Sequence, residues 1–164
     1  MPFAICGLQP QEGHHVEFDE YVPLTVQWPG YARLRQAPAS VVLEAGSSIV
    51  EIKTDRDSSE VVELILVELA KPESSTATLP VPEAVEPGVP LMSFDESVTP
   101  GVGGVRLYAD GLSLRFGERR SVRGVGDSVA VFGFCDQGNL VEFDLRLGLR
   151  GMSRLRALCG LVEA

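Results

Sequence analysis

From Gly126 to Leu147 the chain reads GDSVAVFGFCDQGNLVEFDLRL, its clearest strand–turn–strand signal. Val141, Phe143, Leu145 and Leu147 fall on one side of an extended chain, and Glu142, Asp144 and Arg146 on the other. Alternation with period two predicts a half-buried strand. In its partner, Val129 and Val131 alternate with Ala130, Phe132 and Phe134, so both faces are apolar. Asp136-Gln137-Gly138 supplies the turn, with Gly138 suited to its left-handed position.

A looser version of the pattern runs from Gly46 to Leu69. Ile49 to Lys53 matches Val129 to Gly133, and Val61-Val62-Glu63-Leu64 matches Leu140-Val141-Glu142-Phe143. Glu60 to Leu69 has the apolar density of a buried helix, but β-branched Val61, Val62, Ile65 and Val67 favour a central strand covered on both faces. Ser40 to Glu44 is a further short strand, and Asp55 to Ser59 a turn. Upstream, Leu24, Val26 and Trp28 alternate with polar neighbours before Pro29-Gly30, and Val105 to Ala109 do so before Asp110-Gly111 and Leu112 to Phe116. Both read as hairpins, with Trp28 and Tyr31 at one tip and Tyr108 at the other. The segment up to Gly13 has no usable period and reads as an edge strand or a loose terminus.

Lys71 to Gly104 holds six of the eleven prolines. Proline fixes φ and removes a donor, so this stretch is expected to lack regular structure and to run over the surface, with Leu91-Met92-Ser93-Phe94 docking as a short anchor. At the C-terminus, Met152, Leu155, Leu158, Cys159 and Val162 share one face at helical spacing, with Arg150 and Arg154 opposite. The expected fold is therefore mainly β: two related antiparallel β-meander units packed as a sandwich or barrel, with a short C-terminal helix. The first unit covers 14–70, the proline-rich connection 71–104, and the second unit with its helix 105–164.

The YADGLSLRFG hairpin, GDSV and DQGNLVEFDL of the second unit together resemble a family of short bacterial β-meander domains. The resemblance covers residues 105–147. It implies a fold rather than an activity, and no catalytic residue carries over from it.

Composition narrows the function classes. The 164 residues carry a net charge of −9, divided as −7 over residues 1–70, −4 over 71–104 and +2 over 105–164. An acidic chain repels a phosphate backbone, so nucleic-acid binding is disfavoured. No apolar run reaches the roughly 18 residues of a membrane helix, and the first residues lack the basic start and long apolar region of a secretory signal, so no membrane partner is expected and the cytoplasm is the expected compartment. The three cysteines, Cys6, Cys135 and Cys159, are widely spaced among apolar neighbours, which predicts buried free thiols.

Candidate chemistry is sparse. His14, His15, Glu17 and Asp19 form the one cluster of metal-ligand types, and His15, Glu17 and Asp19 would share a strand face able to hold a divalent ion. Asp55, Asp57 and Glu60 lack the central glycine and distal glutamate of a calcium loop. Glu142 and Asp144, with Glu63 as the counterpart in the first unit, form a candidate pair of carboxylates, for which a cross-strand ion pair with Arg146 is the plainer reading. The glycines of Pro100 to Gly104 are followed by no Lys-Ser or Lys-Thr, so no phosphate loop and no cofactor is expected. Trp28, Tyr31 and Tyr108 are the candidate binding residues, as exposed anchors or as caps on the core. These features favour a non-enzymatic protein-interaction module of the bacterial cytoplasm, of the acidic inhibitor or immunity type, or else a self-associating subunit. The alternative is a small-molecule or metal-binding domain, with or without enzymatic activity, whose site lies between the two units.

Overall fold

A computed structural model describes residues 3–10, 13–94 and 103–161. Pro100, Gly101, Val102 and Val162, named above, lie outside the described residues. Strand β1 (Phe3–Gln9) comes first. The first unit contributes β2 (His15–Glu17), β3 (Leu24–Gln27), β4 (Ala39–Ala45), β5 (Ser48–Thr54) and β6 (Val61–Glu68). The connection contributes β7 (Glu73–Ser74), β8 (Glu86–Pro87) and β9 (Val89–Phe94). The second unit contributes β10 (Gly104–Leu107), β11 (Gly111–Arg115), β12 (Arg123–Gly126), β13 (Ala130–Phe134), β14 (Leu140–Arg146) and helix α1 (Gly148–Leu158).

The first sheet has the order β2-β3-β6-β5-β4, antiparallel throughout. The second repeats that order as β10-β11-β14-β13-β12, with β7 added beside β10 and β8 beside β12, both parallel. β1 pairs with β9 in a separate two-stranded ribbon. The alternating sequences bury every second side chain, as in β5, where Ser48, Val50, Ile52 and Thr54 point inward. β6 is a strand, and its apolar faces fit its central place between β3 and β5.

The sheets face each other as a sandwich, and neither closes into a barrel. One continuous core joins them: Leu24, Val26, Leu43, Val50, Ile52, Leu64 and Leu66 from the first sheet meet Leu107, Leu112, Leu114, Phe132, Phe134, Phe143 and Leu145 from the second. Met152 and Leu155 of α1 seal one end. Arg154 on the opposite face of α1 lies 5.1 Å above the ring of Phe18. Gly138 adopts φ +78 in the turn between β13 and β14, and its N–H donates to the Cys135 carbonyl at 2.9 Å.

Three expectations need correcting. Trp28 and Tyr31 do not cap a hairpin: Pro29–Arg33 is a 3-10 helix. Pro29 sits in its first turn, where the fixed φ of proline is already helical. β3 instead pairs with β2 and β6, and Trp28 is buried, its N–H donating to the Val62 carbonyl at 3.0 Å. The connection is not devoid of regular structure, because its prolines sit where no ladder donor is needed and three short strands form between and beside them. Met92 anchors it from within β9, fully buried, with its N–H on the Ser59 carbonyl at 2.8 Å. Finally, Cys6 is exposed, because it lies where the β1–β9 register shifts; Cys135 is buried and Cys159 half-buried, and all three are free.

Candidate cleft on the outer face of the second sheet

The outward residues of the second sheet's central strands are Ser113 on β11, Glu142 and Asp144 on β14, and Val131 and Gly133 on β13. On an ordinary sandwich such a face meets water. Here the connection returns across it: residues 79–84 form a roof over a cleft of about 620 Å³. The roof is tied at both ends. Ala109 N–H donates to the Ala77 carbonyl at 2.9 Å, and Leu79 N–H to Asp110 Oδ1 at 2.7 Å. Arg146 donates to the Leu79 carbonyl at 2.9 Å and also pairs with Asp110. At the far end Arg123 pairs with Glu86. Pro80 and Pro82 fix φ and remove two backbone donors from the segment between these ties. The Leu79 amide and the Arg146 guanidinium hold the Asp110 carboxyl below the usual carboxylate range.

Removing the Arg146 tie has a readable consequence. Arg146→Met leaves the Leu79 carbonyl without its guanidinium donor and Asp110 without its cation, and should cost about 1–2 kcal/mol. Limited proteolysis should then cut within residues 77–86 faster than in the parent, with the rest of the chain protected; unchanged cleavage would show that Arg146 does not hold the roof.

Glu142 is satisfied. Ser113 Oγ donates to its Oε1 at 3.1 Å, and Arg115 Nη1 lies at 3.3 Å. The carboxylate pair therefore finds its cation on β11, and Arg146 turns to Asp110 instead. Asp144 is different. Its Oδ1 is buried and has no hydrogen-bond partner. Burial pushes its carboxyl up to about 6; Ser113 opposes the rise, the nearby Glu142 charge adds to it, and Arg115 and Arg146 pull the other way.

The first sheet shows how the same positions look when closed. In register, Gln27 and Lys53 flank Glu63 as Arg115 and Gly133 flank Glu142. Lys53 Nζ lies 3.1 Å from Glu63, Gln27 also donates to it, and Glu63 is buried. One step along, Thr25 faces Ile65 where Ser113 faces Asp144. So the second sheet has glycine where the first has the neutralising lysine, and a carboxylate where the first has isoleucine.

A second cleft of about 590 Å³ adjoins the first and shares Tyr108, Ser113 and Glu142 with it. Its walls come from both units: the β4–β5 turn at Gly46 and Ser47, Lys71 after β6, and Arg106 and Arg115 of the second sheet. Arg106 pairs with Glu73 at 2.7 Å, whereas Lys71 has no ion-pair partner among the described residues.

The residues singled out from the sequence are dispersed. Trp28 lies in the core against Phe132 and Phe143, and Tyr31 is exposed on the 3-10 helix of the first unit. Of the three aromatics, Tyr108 alone reaches the clefts, which Glu142 and Asp144 also line. His14 Nδ1 lies 3.1 Å from Asp127, His15 lies 3.0 Å from Glu17, and Asp19 accepts the Tyr21 N–H at 2.8 Å. Among the described residues no three His, Cys, Asp or Glu side chains converge as metal ligands. Asp55 and Asp57 belong to a turn, in which Asp55 Oδ1 accepts the Asp57 N–H at 2.8 Å. Glu60 is buried beside Arg33, its carboxyl raised chiefly by that burial. The roof was missed; the alternation of Pro80 and Pro82 with Leu79 and Val81 is the signal that could have pointed to an extended, anchored strap. No helix among the described residues is long and apolar enough to cross a membrane. No protein-family model matches the chain, and no curated protein is similar to it at a significant level.

Proposed function

We propose that this chain is a binding protein for a small polar ligand, taken into the roofed cleft on the second sheet with Asp144 as its recognition residue. The observation that carries the reading is Asp144 on the cleft wall, a half-buried carboxylate with no ion-pair partner among the described residues. A carboxylate part-open to the cleft and without a cation gains a charge-assisted hydrogen bond from a ligand N–H. The contrast between the sheets supports the same reading. We infer that they are copies of one unit, in which the first keeps its outer face closed with Lys53 and Ile65 and the second opens it with Gly133 and Asp144. The volume of this cleft falls within the range of small-ligand sites.

Amide-resolved NMR of the protein titrated with a library of small amines, amides and polyols tests it. Shift changes should cluster on Ser113, Val131, Gly133 and Asp144, and Asp144→Ala should abolish them. A library that perturbs no residue of the cleft would remove the reading.

A second reading, a protein-interaction module, draws on Val81 and Val122. Both line the cleft, one from the roof and one from the loop after β11, and both are largely exposed. Two apolar side chains at a mouth suit a partner's inserted side chain, and the acidic first unit suits a basic partner. Such a complex would weaken with salt and with Val81→Asp; binding indifferent to both would exclude it.

A further inference from the structure

We propose that the ligand is a linear molecule carrying an ammonium group at one end and an anionic group at the other, lying across the second sheet from Asp144 to Lys71. The proposal rests on the binding reading above and adds the ligand's chemical class. The two clefts are one trough, because Tyr108, Ser113 and Glu142 belong to both.

The charges along this trough are ordered. At its middle the Arg115–Glu142 pair cancels, and near the β7 edge so does Arg106–Glu73. What remains is Asp144 on one side and Lys71 on the other. Neither has an ion-pair partner among the described residues; Asp144 is half-buried on the cleft wall and Lys71 is exposed. Beyond Asp144 the Arg123–Glu86 pair cancels again, and the remaining charges on that side, Arg120 and Glu83, are of opposite sign. An ammonium group gives the half-buried carboxylate a charge-assisted donor, and an anion pairs with the lysine. Tyr108 lies between and offers a hydroxyl group to a polar backbone, while the Ser113 hydroxyl is already donated to Glu142.

The sheet sets the length. From β14 through β11 and β10 to β7 there are three strand steps, which at about 4.8 Å each carry the trough about 14 Å from Asp144 to β7, with Lys71 two residues before that strand. Four extended residues of a peptide span roughly 13 Å. A short zwitterionic peptide fits this distance, and so does a long-chain ω-amino acid.

Calorimetric titration of the full chain with tetraglycine, N-acetyl-tetraglycine, tetraglycine amide and 11-aminoundecanoic acid separates the possibilities. Tetraglycine or the ω-amino acid should bind, and whichever binds names the source. Blocking the tetraglycine amine should cost about tenfold or more in wild type and nothing further in Asp144→Asn. Blocking its carboxylate should cost about tenfold in wild type and nothing further in Lys71→Met, whose surface position leaves folding intact. Equal binding of the blocked and free peptides overturns the proposal. So does failure of both zwitterions to bind; in that case cleft shifts from the small-molecule library would show that the binding reading survives without the dipolar ligand, and their absence would show that both fail.

Discussion

Trp28→Ala is expected to lower stability by about 3–5 kcal/mol, a large part of what a domain of this size possesses. Trp28 leaves the end of β3 in the first sheet, yet its ring packs on the second. The ring centroids lie 5.3 Å from Phe132 and 6.3 Å from Phe143, and those two phenylalanines are 4.7 Å apart. The three rings bridge the sandwich at its middle, so truncation opens a cavity that neither sheet can fill alone. Trp28→Phe keeps a ring there and should cost only about 1 kcal/mol. Urea unfolding followed by circular dichroism measures both variants. Because Trp28 is the single tryptophan, the parent offers a second test: its fluorescence and its circular dichroism should change at the same urea concentration. A loss below about 1 kcal/mol for the alanine variant would mean that the sheets are held by something other than this ring cluster.

The burial of Trp28 is also where sequence and structure part. An aromatic before Pro-Gly looks the same in sequence whether it tips a hairpin or enters the core. What decides is the partner of β3, which is β6, some forty residues later. Features with local causes were legible. Alternation placed β5 and β14 correctly, the left-handed glycine at Gly138 marked its turn, and the stripe of Met152 and Leu155 marked α1. The cleft was not legible. Glu142 and Asp144 stood out as neighbours on one strand face, but their difference comes from residues 79–84 crossing above them. A run of prolines announces an extended segment without announcing what it covers. Nor does a sequence say that Arg115 rather than Arg146 takes the carboxylate, since that depends on strand register.

Asp144→Asn should raise stability at neutral pH. In the folded protein the Asp144 carboxyl is pushed up to about 6 from its ordinary 3.8, burial being the main cause. A raised carboxyl binds its proton more tightly folded than unfolded, so the fold is favoured where that proton is retained. Its contribution is intact below about pH 4, declines as pH rises toward 6, and stays lost above. The shift corresponds to about 2–3 kcal/mol at pH 7.5. The asparagine variant, neutral throughout, should therefore melt roughly 4–10 °C above the parent at pH 7.5. That advantage should shrink below pH 5 and vanish near pH 4. Glu60, also raised by burial, is present in both proteins and drops out of the difference. The groups around Asp144 act in both directions: Glu142 favours its neutral form, while Ser113, Arg115 and Arg146 favour its charge. An equal or lower melting temperature at pH 7.5 would show that Asp144 is already satisfied. Retaining a carboxylate that costs stability is the pattern expected of a residue kept for binding. Ligand affinity should accordingly run opposite to stability, with ammonium binding tightening between pH 5 and 7 as Asp144 ionises, and staying weak and independent of pH in the asparagine variant.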